Sequence, residues 1–332
     1  MRQESAVASG WPPFPATEAV SPVGRPKLTA GESSSAHREV GSMSLMFLHG
    51  RFLPVEEATV PFLDRGYLFG DGVYEVYRLY GGRPFARELH VDRFYASCSG
   101  ISLEVPGTRQ ELVGILDRIE AHAPARSYIY FHLTRGPAPR LHAWPDACNP
   151  ALAVMAVELG PVPETWYRRG VAVITYEDIR WARCRVKSLN LLPNCMAMSE
   201  ARARGAAEVL FVNREGFVTE SATASAFAVI GGYLRTAPLT FNILPGVTRH
   251  LVLESARESG LPVRESAFTL EELQEASEVF ITNTPFEILP VAVIDDRPVR
   301  GPGPMTRELM RGMARRVEEE TGHPAQCSVA LG

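Results

Sequence analysis

The chain is poor in cysteine. Its five residues, Cys98, Cys148, Cys184, Cys195 and Cys327, are odd in number, scattered, and never spaced C-x-x-C. A disulfide framework and a zinc site of the usual spacing are thereby excluded, no metal is expected, and the pattern fits a reducing cytoplasm. Long apolar runs are missing too: none approaches the ~18 residues that a membrane helix needs. Nor is there an excess of positive charge. Lys and Arg total 34 against 38 Asp and Glu, a net charge of -4, so no basic field for nucleic acid or an anionic membrane is present. No repeat recurs at a fixed period. What remains is ordinary for a globular protein: 332 residues, 45% hydrophobic and 22% charged, enough for two domains with sizeable cores.

Residues 1–42 differ from the rest. The stretch GWPPFPATEAVSPVGRPKLTAGESSSAHREVGS is rich in Pro, Gly, Ser and Ala and has no apolar periodicity, which predicts disorder. It lacks the apolar core of a secretory signal and the Arg-rich, acid-poor composition of a transit peptide. It is either a dispensable tail or the product of a start codon upstream of a working start at Met43 or Met46.

From Met43 onward strands dominate. LMFLHGRFLP reads as a hairpin turning at His49-Gly50, and VYEVYRLYGGRPF as another turning at Gly81-Gly82. A helix is predicted from about Arg87, with Val91, Phe94, Tyr95, Cys98 and Ile101 on one face, and a second over 109–122. SYIYFHLTRG and ALAVMAVELG read as strands flanking a Pro-rich loop. Residues 43–160 therefore form one small α+β domain, followed by a linker at 161–170. A large domain over 171–322 opens with the strand VAVITYE, then a helix between Pro193 and Gly205. Hairpins follow in EVLFVNREGFVTE and SAFAVIGGYLRTAP, then a helix in LPGVTRHLVLESARESG, a return to strand in EVFITNTPFEILPVAVI, and a charged helix ending near Glu320. Residues 323–332 read as a tail.

Five features could carry chemistry. Lys187 lies among leucines at a strand-to-helix junction, and a lysine held in an apolar site becomes a nucleophile at neutral pH. Glu220 sits at a strand end before the small run Ser221, Ala222, Thr223, Ala224, Ser225, against which something bulky could pack. Val247 and Thr248 follow Pro245-Gly246 at a helix start, where free N–H groups bind anions. Thr284 adds a hydroxyl at the strand end ITNT. Arg140 and His142, two apart in an extended loop, could make a fork for a carboxylate. Each has an ordinary reading alone: a solvated lysine, an exposed glutamate, one helix start among several, a chance R-x-H. Arg93 lies opposite the apolar stripe of its helix, where periodicity favours a solvated side chain.

Taken together, DRGYLFGDGVYEV, HVDRFYAS, DIRWARCRVKSLNLLPN, FVTESATASAF, ILPGVTR and VFITNT resemble the class IV aminotransferases of fold type IV over about residues 44–300. The resemblance implies an α+β fold of two α/β domains with pyridoxal 5'-phosphate in the cleft between them. It implies that Lys187 bonds to the cofactor aldehyde and later shuttles a proton. Glu220 would hold the pyridine nitrogen protonated, Thr223 would contact the cofactor, and Arg93, Val247, Thr248 and Thr284 would bind the phosphate. The loop TRGPAPRLHAWP resembles that of the D-amino-acid aminotransferases. It implies a homodimer in which Tyr74, with Arg140 and His142 from the partner subunit, traps the substrate α-carboxylate. The implied substrates are D-amino acids and 2-oxoglutarate. Two other activities share the fold: branched-chain L-amino-acid transamination and aminodeoxychorismate lysis. The chain departs from the family pattern at Ser225, often asparagine, and at Ala222 and Ala224, often serine.

Overall fold

Alternation in LMFLHGRFLP closes the first hairpin. β1 (Leu45–Leu48) pairs with β2 (Arg51–Pro54) across His49 and Gly50, both at positive φ, as a primed two-residue turn requires. The computed structural model describes residues 45–331; the expected disorder of residues 1–42 lies outside the described residues. Four further strands, β3 (Gly72–Tyr80), β4 (Arg83–Pro84), β5 (Arg126–Thr134) and β6 (Ala151–Glu158), complete an antiparallel sheet in the order β2-β1-β6-β5-β3-β4. A one-turn helix that periodicity is too short to show, α1 (Arg65–Phe69), begins at the side-chain cap Asp64. The helices α2 (Arg87–Gly100) and α3 (Arg109–Glu120) pack on this sheet. Val91, Phe94 and Cys98 of α2 are buried there beside Phe131 of β5. Thr108 and Glu111 form a capping box that fixes where α3 starts.

The segment 161–170, expected as a linker, carries a short helix, α4 (Glu164–Arg169). Its Tyr167 is fully buried and donates its hydroxyl proton to the Phe286 carbonyl at 3.2 Å. The second sheet is mixed. Its strands are β7 (Val171–Glu177), β8 (Glu208–Val212), β9 (Phe217–Val218), β10 (Ser225–Ile230), β11 (Tyr233–Thr236), β12 (Val263–Glu265), β13 (Phe268–Thr269), β14 (Glu278–Asn283), β15 (Glu287–Ile294) and β16 (Arg297–Pro298). They run in the order β12-β11-β10-β14-β15-β7-β8-β9-β13, with β16 on β15. β7 and β8 are parallel, joined by the crossover helix α5 (Leu192–Ala203), as parallel neighbours demand. The helices α6 (Val247–Glu258), α7 (Leu270–Gln274) and α8 (Pro304–Thr321) complete the fold. Phe227 and Phe280 stack at 4.9 Å at the centre of a core that also holds Val252, Ala256, Met310 and Met313.

Two further segments differ from expectation. EVFITNTPFEILPVAVI is an antiparallel pair, not one return to strand. Asn283 Oδ1 accepts the Phe286 N–H at 2.9 Å, and Glu287 takes φ 64, so the chain turns between β14 and β15. Residues 323–332, expected as a tail, contain a 3-10 turn over Gln326–Ala330. The backbone N–H groups of Gln326 and Cys327 donate to the buried Glu287 carboxylate at 2.8 and 2.7 Å. Deletion of residues 1–42 should leave turnover and Tm unchanged; a fall in either, measured side by side with the full chain, would show that the segment contributes to the working protein.

Candidate active site

β7 delivers the chain to a connection, 178–191, that crosses from the second sheet to β3 of the first. Val73 bridges Ser188, the Tyr74 N–H donates to the Lys187 carbonyl at 2.9 Å, and the Leu189 N–H donates to the Gly72 carbonyl at 3.0 Å. Gly72 is what permits this approach: a Cβ there would lie 2.6 Å from the Leu133 carbonyl oxygen and 2.8 Å from Leu189 Cδ1. From α2, Ser97 Oγ accepts the Lys187 N–H at 3.1 Å. The lysine backbone is thus held by two elements, while Nζ stands 4.2 Å from the centre of the Tyr74 ring, within cation–π range. Both side chains face a cavity of about 460 Å³.

Glu220, expected at an exposed strand end if it were ordinary, is 4% exposed and lines this cavity. Arg180 donates to its Oε1 at 2.5 Å, and the Leu244 N–H lies 3.1 and 3.2 Å from its two oxygens. Burial pushes the Glu220 carboxyl above its ordinary pKa, and the Arg180 guanidinium draws it back only in part. Arg180 is a site residue that the pattern reading missed. It is held in turn by Asp178, 2.9 Å from Nε and 2.8 Å from Nη2. The available signal was the alternation Asp178, Arg180 just past a strand end, which puts both on one side of an extended chain. The small run lines the wall beside Glu220. Its turn is held by Glu208, whose carboxylate accepts the Thr223 N–H and hydroxyl, and by Asn194, which donates to the Ala222 carbonyl at 2.7 Å.

One end of the same cavity is lined by a helix start. Val247 and Thr248 open α6 behind Gly246, which provides no side-chain cap, so the first-turn N–H groups are unclaimed by a cap. Arg93 also lines this cavity, with its side chain only 10% exposed, contrary to the solvated position that periodicity favours. Glu75 of β3 explains this: Arg93 donates to its two oxygens at 2.8 and 2.6 Å and to the Pro245 carbonyl at 3.1 Å. The guanidinium fork still has hydrogens to give. Burial alone would raise the Glu75 carboxyl, but Arg93, helped by His90, holds it well below the usual carboxylate range. His90 lies with Nδ1 3.0 Å from Glu75, and burial pushes its imidazole below the ordinary value. Glu75 and His90 do not line the cavity, and no hydrophobicity pattern joins them to Arg93. Thr284 lies on the wall, and two buried hydroxyls on that wall, Ser221 Oγ and Thr282 Oγ1, have no hydrogen-bond partner among the described residues.

Arg140 and His142 are not brought to this cavity. Both are exposed on a loop whose backbone is held by Arg65, which donates to the carbonyls of Leu141 at 2.6 Å and His142 at 3.3 Å. Their side chains instead lie beside Phe69, 5.5 Å from its centroid for the Arg140 guanidinium and 5.7 Å for the His142 ring.

The cavity therefore combines a lysine amine, a buried carboxylate and an uncapped helix start. Comparison with known proteins gives the family. The family model Amino-transferase class IV matches residues 72–294. A D-alanine aminotransferase of Listeria monocytogenes is 40% identical over 80% of this chain and 94% of its own length. One of Staphylococcus epidermidis is 36% identical over 84% of this chain and all of its own. The structure of a branched-chain aminotransferase from the thermophilic archaeon Thermoproteus uzoniensis, with norvaline, superposes with a TM-score of 0.74. It is 29% identical, covering 85% of this chain and 96% of that one. The chain belongs to the class IV aminotransferases, and its cofactor is pyridoxal 5'-phosphate.

Proposed function

We propose that the protein is a pyridoxal 5'-phosphate-dependent D-amino-acid aminotransferase that passes the amino group to 2-oxoglutarate, leaving a 2-oxo acid and D-glutamate, and works as a homodimer in the cytoplasm. The observation that carries the substrate class is the similarity, along nearly their whole length, to the two D-alanine aminotransferases. The cofactor fits this chain on its own evidence. The hydroxyls of Ser221 and Thr282 are buried on the cavity wall without a partner among the described residues, an arrangement that a polar ligand relieves. The uncapped start of α6 supplies donors for a dianionic phosphate.

Arg93, Val247, Thr248 and Thr284 would hold the phosphate, Thr223 would lie against the cofactor, and Glu220 would face the ring nitrogen. When bound, pyridoxal phosphate supplies an aldehyde that takes up an amine and a ring that accepts electrons. Lys187 would hold the cofactor, and its Nζ would serve as the base for the substrate α-proton. Its Nζ approaches from one fixed side, so the α-hydrogen has to point there. The carboxylate trap, Tyr74 with Arg140 and His142 of a second copy, then decides which enantiomer complies. We read residues 43–160 and 171–322 as two lobes: Tyr74 and Arg93 come from the first, and Lys187, Glu220 and the α6 start from the second. Five free cysteines agree with a reducing compartment, and no helix among the described residues is long and apolar enough to cross a membrane.

A second reading, branched-chain L-amino-acid transamination, is favoured by the likeness to the Thermoproteus uzoniensis structure, at lower identity than the D-alanine aminotransferases show. Aminodeoxychorismate lysis shares the fold but has no observation of its own. Single-turnover mixing separates the two transaminations: D-alanine should convert the cofactor's visible band to that of the amine form within one turnover, while L-leucine should leave it in place. A lyase would instead release pyruvate from aminodeoxychorismate, and none should form. A response to L-leucine without one to D-alanine would reverse the assignment.

A further inference from the structure

Arg180 stands next to Glu220, and a buried arginine beside a carboxylate ordinarily cancels its charge. A cancelled Glu220 would have little left with which to hold a proton on a ring nitrogen. The geometry points to a different arrangement: Asp178 is a positioning residue that claims the charge of Arg180, so that Glu220 keeps a negative charge for the protonated nitrogen of the cofactor. This rests on the cofactor reading above and goes beyond it, because Asp178 is not on the cavity wall.

Three observations carry it. First, the guanidinium gives its side-on edge to Asp178, with Nε 2.9 Å from Oδ1 and Nη2 2.8 Å from Oδ2, and only Nη1 to Glu220. The two-bond contact is the stronger one. Second, Asp178 is held in place and held ionised. It accepts the Thr219 hydroxyl at 2.8 Å and the Arg180 N–H at 3.2 Å. Burial would raise its carboxyl, but Arg180 and Thr219 bring it below the ordinary value. Third, all three side chains are only 6% exposed, so water does little to screen the count. Two carboxylates share one guanidinium, and the cluster is left one negative charge in excess.

Arg93, which faces the same cavity, does not supply the missing cation, because its charge is matched by Glu75. The Cys184 thiol, pushed up to about 11 by burial, is neutral. Glu220 Oε2 has only the Leu244 N–H, 3.2 Å away, among the described residues. A buried cluster with one uncompensated charge takes up one proton readily, and a neutral one resists it. Asp178 therefore sets whether the floor of the cavity accepts a ring that carries a proton.

The test compares two ligands on the full chain stripped of cofactor: pyridoxal 5'-phosphate and its 1-carba analogue, in which C–H replaces the ring nitrogen. Their affinity ratio isolates the nitrogen, because damage to the phosphate site or the fold affects both ligands alike. The wild-type protein should favour pyridoxal phosphate by at least about tenfold. Asp178→Asn should shrink that ratio by roughly the same factor. The double variant Asp178→Asn with Arg180→Gln removes one charge of each sign and should restore most of the preference. Arg180→Gln alone, which covers a failure of Asp178→Asn to fold, should keep the preference at or above the wild-type level. A wild-type ratio near one overturns the placement of Glu220 itself. An intact wild-type preference that survives in Asp178→Asn overturns the role of Asp178 alone. Equal loss in the single and double variants overturns the charge count, as does a fall in Arg180→Gln.

Discussion

Replacing Lys187 with alanine should abolish transamination, a loss of at least about 10⁴-fold, because in the proposed mechanism the residue is both the covalent anchor and the base. The fold should survive. The Lys187 backbone makes its contacts through N–H and C=O, to Ser97 Oγ and the Tyr74 N–H, and alanine keeps both. The side chain places Nζ over the Tyr74 ring, a contact worth about 0.5–2 kcal/mol. The variant should therefore match the wild type in Tm within a few degrees and still take up pyridoxal phosphate without a covalent bond. Borohydride reduction and peptide mapping give a readout independent of turnover. The label should fall on the peptide containing Lys187 in the wild-type chain and nowhere in Lys187→Ala. A label at another lysine, or full residual activity, removes the nucleophile assignment and the cofactor placement built on it.

The residues legible in the sequence share a property: their role follows from their own position along the chain. Gly81-Gly82 and Gly231-Gly232, both pairs at positive φ, announce their hairpins because glycine reaches that region without strain. The stripe Val91, Phe94, Cys98 announces the buried face of α2 because periodicity records contact with an apolar core. The start of α6 is visible from Pro245-Gly246. What was illegible depends on a distant partner. Arg93 looks solvated because it lies off the apolar stripe, yet Glu75 on β3 gives it a buried ionic seat that no hydrophobicity pattern records. Arg180 meets Glu220 from forty residues away. Residues 323–332 look like a tail because QCSVA has no period, and what packs them down is the Glu287 carboxylate, forty residues from Cys327. The departures from the family pattern at Ala222, Ala224 and Ser225 fall on the cavity wall beside Ser221, Thr223 and Thr282.

Arg140→Ala should raise the substrate KM while leaving cofactor affinity unchanged, since truncating one partner of a buried charge-assisted contact to a carboxylate costs roughly 2–5 kcal/mol. Within one protomer this prediction makes no sense: Arg140 is exposed beside Phe69 and does not line the cavity. It makes sense only if the loop completes the site of a second copy. The surface around it has the character of an interface. Phe62 is 71% exposed, Tyr67 70% and Leu141 66%, an apolar concentration that a lone soluble chain seldom leaves in water. Hybrid dimers decide the matter. Lys187→Ala and Arg140→Ala chains are each impaired as homodimers, but a dimer of one with the other contains one site with both an intact lysine and an intact arginine. After unfolding and random reassociation, half the dimers are hybrids with one restored site of two, so activity should return to about one quarter of the wild-type level. If both residues served the same chain's cavity, no mixing could rebuild a complete site, and the mixture would show only the average of its two parents.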